Sequence, residues 1–331
     1  MQNDQKILYI NEKNETQVTM NDHKFRNPYS SDNKRSLYHV LLWMLGYYND
    51  PEPLEEPPDT FSYPDSTPAN NSNVQYLWVG HSTFLIKACG YTFLTDPVWA
   101  NRLFFIKRKM PPGISLKELP PIDFVLISHN HYDHLDIQAV RYIHDTFANA
   151  YFLVPLGLKK WLEKRGITRV HEYNWWQSKA FSENIQITSV PAQHFSGRGL
   201  FDRNRTLWCG FVVTIKDCFS FYFAGDTGYN EVDFKAIGSK YHIDLALLPI
   251  GGYCPRAFMS QVHLSPDDAV RVHSDLGAKK SVACHFGTFK LSDEPLKRPP
   301  YDLFLALNNR ALSTDLFSVP KTGLWYSAEC T

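Results

Sequence analysis

The chain has no surplus of either charge. Lysine plus arginine and aspartate plus glutamate both number 34 in its 331 residues, so no overall field draws a polyanion. A nucleic-acid substrate would need a local basic patch, and only short groups such as Lys107-Arg108-Lys109 offer one. Cysteine is scarce: Cys89, Cys209, Cys218, Cys254, Cys284 and Cys330 show no C-x-x-C spacing, in a chain too large to need a disulfide framework. They are expected to be reduced, mostly buried thiols. No apolar run is long enough to span a bilayer, since the block Leu37 to Leu45 is about half of the ~20 residues required. No signal-type apolar stretch follows the polar start at Met1-Gln2-Asn3. A cytoplasmic protein, peripheral to a membrane where it touches one, is the expectation.

What is present is ample apolar material, 44% of the residues, enough for a large core. Residues 1–73 read as an amino-terminal extension. It contains a short apolar helix near 37–45, packed on the domain or laid into a lipid interface, then a linker marked by Pro51, Pro53, Pro57, Pro58, Pro64 and Pro68. Residues 74–331 read as the domain proper. Short β-rich runs open it at 75–79, 83–87 and 91–95, with Ala88-Cys89-Gly90 as a hairpin turn. Strand-like runs then alternate with helical ones: 124–127, a helix after Asp136, 151–154, a helix through 157–164, and strands at 185–190, 210–215, 220–224, 244–249 and 280–284. Many strands with a few interposed helices predict an α/β protein, a four-layer αβ/βα sandwich.

The chemistry is concentrated directly after the run 124–127, in His129-Asn130-His131-Tyr132-Asp133-His134. Four metal-type side chains fall within six positions at a strand's end, where a rigid scaffold can aim them. Histidines two apart can face one ion while Asp133 and His134 turn towards a neighbour. Two ions need further donors, and three other strand-like runs end in one: His194 after Val190-Pro191-Ala192-Gln193, Asp226 after Ala224-Gly225, and His285 after Ala283-Cys284.

These residues, with Leu77-Trp78-Val79-Gly80-His81-Ser82-Thr83, Thr95-Asp96-Pro97, Val154-Pro155-Leu156-Gly157-Leu158, Ala224-Gly225-Asp226-Thr227-Gly228 and His285-Phe286-Gly287-Thr288-Phe289, resemble the metallo-β-lactamase superfamily. Within it they resemble the branch of phospholipases D that hydrolyse N-acyl-phosphatidylethanolamine, in its bacterial form. The start Phe25-Arg26-Asn27-Pro28 is similar to the amino-terminal part of that branch. The resemblance implies two zinc ions per chain, one held by His129, His131 and His194, the other by Asp133, His134 and His285, with Asp226 shared. It implies that Asp96 orients metal-bound histidines and that His263 assists the leaving group. Asp133, Asp226 and His263 are thus the catalytic candidates. Val262 stands directly before His263 where the relatives carry glutamine, which puts detailed substrate contacts in question.

Arg198, Arg203 and Arg205, in the loop after His194, could meet an anionic phosphate with forked donors, or be solvated and paired with Asp202. The expected activity is phosphodiester hydrolysis of N-acyl-phosphatidylethanolamine to N-acylethanolamine and phosphatidic acid. The alternatives are hydrolysis of a lactone or another ester on the same fold, and an iron-dependent dioxygenase. The expected partners are a phospholipid substrate, a membrane surface in peripheral contact and a second copy in a homodimer, with no nucleic acid.

Overall fold

The computed structural model describes residues 15–29, 42–43, 45–48, 54–65 and 72–329. The expected helix at 37–45 lies outside these apart from Leu42, Trp43 and Leu45, as do Pro51, Pro53 and Pro68 of the expected linker. Among the described residues, no helix is long and apolar enough to cross a membrane.

The described chain begins with the hairpin β1 (Thr19–Asn21) and β2 (Lys24–Arg26), whose Phe25 is buried in the main core. Then come β3 (Val74–Gly80), β4 (Thr83–Ala88) and β5 (Tyr91–Thr95), a small hairpin β6 (Arg102–Leu103) and β7 (Ile106–Lys107), and β8 (Phe124–Leu126). Helix α1 (Ile137–Thr146), capped by Asp136, leads to β9 (Tyr151–Pro155), and α2 (Lys159–Glu163) leads to β10 (Val170–Tyr173). The second half runs β11 (Ser178–Ala180), β12 (Ile185–Val190), β13 (Gly210–Ile215), β14 (Phe219–Phe223), α3 (Glu231–Lys240), β15 (Leu245–Pro249), α4 (Arg256–Met259), α5 (Pro266–Leu276), β16 (Lys280–Cys284), α6 (Arg298–Asn309) and β17 (Phe317–Ser318). The last strand, β18 (Trp325–Ser327), returns to the first sheet beside β3.

One seven-stranded sheet has the order β10-β9-β8-β5-β4-β3-β18 and the other β11-β12-β13-β14-β15-β16-β17. In each, an antiparallel hairpin half gives way to a parallel half, β5-β8-β9-β10 and β14-β15-β16-β17. Parallel neighbours require crossovers, and the crossover helices cover the outer faces. Strand alternation sorts the side chains. Val74, Tyr76 and Trp78 of β3 and Phe219, Phe221 and Phe223 of β14 fill the space between the sheets. Leu77 and Val79 face the layer under α1 and α2, and Tyr222 the layer under α3, α5 and α6. The result is the four-layer αβ/βα sandwich expected, the metallo-β-lactamase fold.

The thiol expectation needs correction. Cys89, in the β4–β5 turn, and Cys218, in the β13–β14 turn, form a disulfide with Cα atoms 6.6 Å apart. Each turn belongs to a different sheet, and stacking the sheets brings the two tips together. Cys209, Cys254 and Cys284 are free and buried, as expected.

Candidate metal centre

The loop after β8 is compact because His134 and Leu135 donate backbone N–H bonds to His131 O, at 3.1 and 2.9 Å. It brings His129 Nε2 to 2.8 Å from His131 Nδ1, and His194 Nε2 from the end of β12 lies 3.3 Å from the same His131 atom. Three imidazole nitrogens therefore point at one small volume. Beside it, His134 Nε2 and His285 Nε2 each stand 3.1 Å from Asp226 Oδ2, and 3.4 and 3.7 Å from Asp133 Oδ2. His194 Nε2 is 3.7 Å and His263 Nδ1 3.9 Å from Asp226 Oδ2. Asp226 thus lies where the two sets meet. The backbone before it is made for close approach: Gly225 has φ +60°, and a Cβ there would collide with Ser128.

The donor set fits divalent cations. His134 Nε2, His285 Nε2 and Asp226 Oδ1 are buried without a hydrogen-bond partner among the described residues, although the first two approach Asp226 closely. Close approach without hydrogen-bond geometry, among buried polar groups that are costly to leave unmet, is what ligands around a shared cation display. Single ligand atoms of His129, His131 and His194, and of His81, Asp133, His134 and His285, each gather within 4.8 Å.

The other ring nitrogen of most of these histidines is fixed, which aims the one that faces the centre. His194 Nδ1 donates to Val262 O at 2.9 Å, and His285 Nδ1 to Gly251 O at 3.2 Å. His134 Nδ1 donates to Asp96 Oδ2 at 2.6 Å. That fully buried carboxylate also accepts Ser128 N–H at 2.7 Å and Ser128 Oγ–H at 2.6 Å. Ser128 Oγ in turn lies 2.8 Å from His129 Nδ1. Asp96 is therefore the hub that orients rings in both sets. Asp96, His81 and His285 all hold positive φ, 28°, 53° and 58°, strained backbone of the kind kept at functional sites.

Burial sets the protonation. It pushes His129 and His194 well below the ordinary histidine range and His131 down to about 4, so these three are neutral donors. Burial also opposes charge on His134 and His285, but Asp226 and its neighbouring carboxylates outweigh it and lift both, His285 to about 9. Asp133 and Asp226 stay ionised, because His134 and its neighbours overcome the burial that would raise them.

His263 joins the centre, its ring 5.1 Å from that of His194 and 5.3 Å from that of His285. The arginines divide. Arg198, expected to face substrate phosphate, instead directs Nη1 to the carbonyls of Asn130 and Leu135, at 2.8 and 2.9 Å, and lies over Tyr132 at 3.9 Å. The tight ligand loop leaves carbonyls turned outward, and this guanidinium takes them. Arg203 stacks over Phe195 at 4.5 Å and lies within electrostatic reach of His131, while Arg205 is exposed.

Sequence reasoning passed over His81, whose Nε2 is 3.0 Å from Asp133 Oδ2. The signal was there, since Gly80-His81-Ser82 ends β3 as the other ligand segments end their strands. It also passed over Asn27, which grips the backbone of His194.

Residues 91–286 match the model of the beta-lactamase superfamily domain. The chain is 43% identical over 247 residues to N-acyl-phosphatidylethanolamine-hydrolyzing phospholipase D 1 of Caenorhabditis elegans, a match spanning 70% of this chain and 69% of that one. It is 34% identical to the mitochondrial N-acyl-phosphatidylethanolamine-hydrolyzing phospholipase D of Saccharomyces cerevisiae, over 66% of this chain and 50% of that one. A metallo hydrolase of the archaeon Ignicoccus hospitalis shares the fold, with TM-score 0.58 and 21% identity over 78% of this chain and 97% of that one.

Proposed function

We propose, from the premise that this chain belongs to the beta-lactamase superfamily and is a metal-dependent hydrolase of that fold, that it holds two zinc ions and hydrolyses N-acyl-phosphatidylethanolamine to N-acylethanolamine and phosphatidic acid. The observation that carries this reading is the place of Asp226, between His129, His131 and His194 on one side and Asp133, His134 and His285 on the other. The choice of a lipid phosphodiester is supported by the 43% identity to a relative that carries that activity in its name.

Two ions bound there would supply an activated water at neutral pH and neutralise charge on the phosphate. The chain's own part is positional. Asp226 shares its carboxylate between the two ligand sets, and Asp96 with Ser128 keeps the rings of His129 and His134 from turning. His263, with a side chain 14% exposed beside Asp226, is placed to give a proton to the leaving ethanolamide oxygen. Arg203 and Arg205 add positive charge where an anionic headgroup approaches. In this reading residues 74–331 form the hydrolase domain and residues 1–73 its extension.

The test is hydrolysis by zinc-loaded protein of N-acyl-phosphatidylethanolamine, phosphatidylcholine, bis(4-nitrophenyl) phosphate and a lactone in parallel, with elemental analysis. Phosphatidic acid from the N-acylated lipid, with about two zinc ions per chain, is the expected result. Lactone opening alone, or iron in place of zinc, overturns the assignment.

A further inference from the structure

Four large hydrophobic side chains that stand well into solvent adjoin the candidate metal centre. Phe104 and Phe105, 69% and 82% exposed, form the tip of the β6–β7 hairpin, and Leu200 and Phe201, 78% and 84% exposed, form the tip of the loop that follows His194. They are four of the nine large hydrophobic side chains left exposed among the described residues, so nearly half of those side chains sit at two neighbouring tips. Both tips are tied to the ligand loop through Tyr132. The Phe104 ring meets Tyr132 edge-on at 4.5 Å, and Tyr132 Oη donates to Arg198 O at 3.0 Å. Tyr132 sits between His131 and Asp133, so both prongs share a support with the metal ligands.

Charge around the tips has one sign. Arg102, Lys107 and Lys109 are exposed along the hairpin, whose segment 101–110 contains no acid, and Arg205 is exposed at the base of the other loop. Asp202, the acid in that loop, is turned inward to accept N–H bonds from Arg198 and Gly199, at 3.0 and 2.8 Å. The partner complementary to both features is a phospholipid surface, whose acyl boundary receives aromatic tips while its anionic headgroups meet the cations. The amino-terminal block is disposed differently: Trp43 stacks on Phe258 at 5.6 Å and donates to Asp293 at 2.8 Å.

We propose that the β6–β7 hairpin and the 197–205 loop form a two-pronged wedge that seats the mouth of the metal centre on an anionic phospholipid bilayer. The proposal rests on the lipid-substrate reading above and adds the surface by which that substrate is reached.

The experiment is co-sedimentation of full-length, zinc-loaded protein with phosphatidylcholine vesicles made with and without phosphatidylserine. The wild type is expected to bind the phosphatidylserine vesicles, less so as salt is raised. Phe105→Ser with Phe201→Ser is expected to bind at least about tenfold more weakly, and Arg102→Glu with Lys107→Glu to lose the preference for phosphatidylserine. Both pairs should keep wild-type zinc content, Tm and turnover of detergent-dispersed substrate. If the serine pair lowers Tm, Phe105→Ser alone carries the test. Equal vesicle binding by wild type and serine variants, or none by the wild type, overturns the wedge. If dispersed N-acyl-phosphatidylethanolamine is still cleaved in that case, the hydrolase reading survives; vesicle binding without cleavage of any phosphodiester removes that reading and leaves the wedge.

Discussion

Asn27 holds His194 by both of its backbone polar groups: Asn27 Nδ2 donates to His194 O at 2.6 Å, and His194 N–H donates to Asn27 Oδ1 at 3.1 Å. A primary amide supplies donor and acceptor side by side, as a neighbouring strand would. A residue 167 positions away in sequence thus fixes the backbone from which a proposed metal ligand projects. Asn27→Ala leaves two buried backbone groups unmet, at a cost of about 1–3 kcal/mol each. Zinc affinity at the three-histidine set should fall about 10- to 100-fold, in line with other supports of metal ligands. Chelator competition measures it; a lowered Tm with unchanged zinc affinity would make Asn27 a purely structural residue.

Asp226 touches both ligand sets, so its loss should be felt by both. Asp226→Asn keeps the volume but removes the charge that His134, His285 and His194 face. Bound zinc is expected to drop below the wild-type stoichiometry, and turnover by roughly two to three orders of magnitude. Elemental analysis beside steady-state kinetics checks this, and full zinc occupancy in the variant would deny Asp226 its shared role.

A third expectation concerns stability and pH. Asp233, buried in α3, accepts the hydroxyl of Thr16 and, at 2.7 Å, the amide of Asn230. Burial lifts its carboxyl from the ordinary 3.8 to about 7, with the Thr16 bond pulling the other way. The folded state therefore keeps a proton that the unfolded chain releases between those values. Its stabilising contribution is full below about 3.8, declines as pH rises and is lost above about 7. Wild-type Tm should fall more steeply than that of Asp233→Asn across this window; parallel profiles would refute it.

The disulfide joins strand ends remote from the candidate metal centre. Cys218 precedes β14 and Asp226 follows it; Cys89 follows β4 and His81 precedes it. The half-cystines are 129 residues apart in sequence, so the cross-link restrains a long stretch of unfolded chain. Reduction, or Cys89→Ser with Cys218→Ser, should cost roughly 2–4 kcal/mol of stability while zinc content and turnover stay unchanged. Identical denaturation with and without reductant would show that the bridge contributes nothing.

How much of this was legible depends on whether the signal is local. The strands at 91–95, 185–190, 210–215 and 280–284 have the bounds read from the sequence, because each is a dense β-rich run closed by turn residues. That the histidine- and aspartate-bearing segments would gather at one centre was legible for the same reason, since each follows such a run. β18 was not: three residues carry no period, and their place beside β3 depends on pairing across most of the chain. The Cys89–Cys218 pairing depends on how the two sheets stack, which no local pattern encodes. Arg198 was read as a phosphate contact, and its guanidinium instead takes carbonyls of the 129–135 loop, whose outward turn is a fact of three dimensions.

His81 provides the last prediction. It is buried, and burial together with His285, its ring 4.1 Å away, holds its pKa down to about 3, so the imidazole is neutral. Its Nε2 lies 3.0 Å from Asp133 Oδ2, the carboxylate oxygen that also faces His134 and His285. A neutral ring donating there restricts Asp133 to one rotamer without adding charge to the second ligand set. His81→Ala should therefore weaken binding of the second zinc by about 10- to 100-fold, leave the first near wild type, and lower kcat more than it raises KM. His81→Gln, which can still donate to Asp133, should recover part of the loss. Cobalt substitution adds a readout that a merely structural role would not move: if His81 only orients Asp133, the visible bands of the fully loaded alanine variant should match those of the wild type. A large band shift would instead make His81 a ligand, with its imidazole bound to the second ion rather than to the carboxylate.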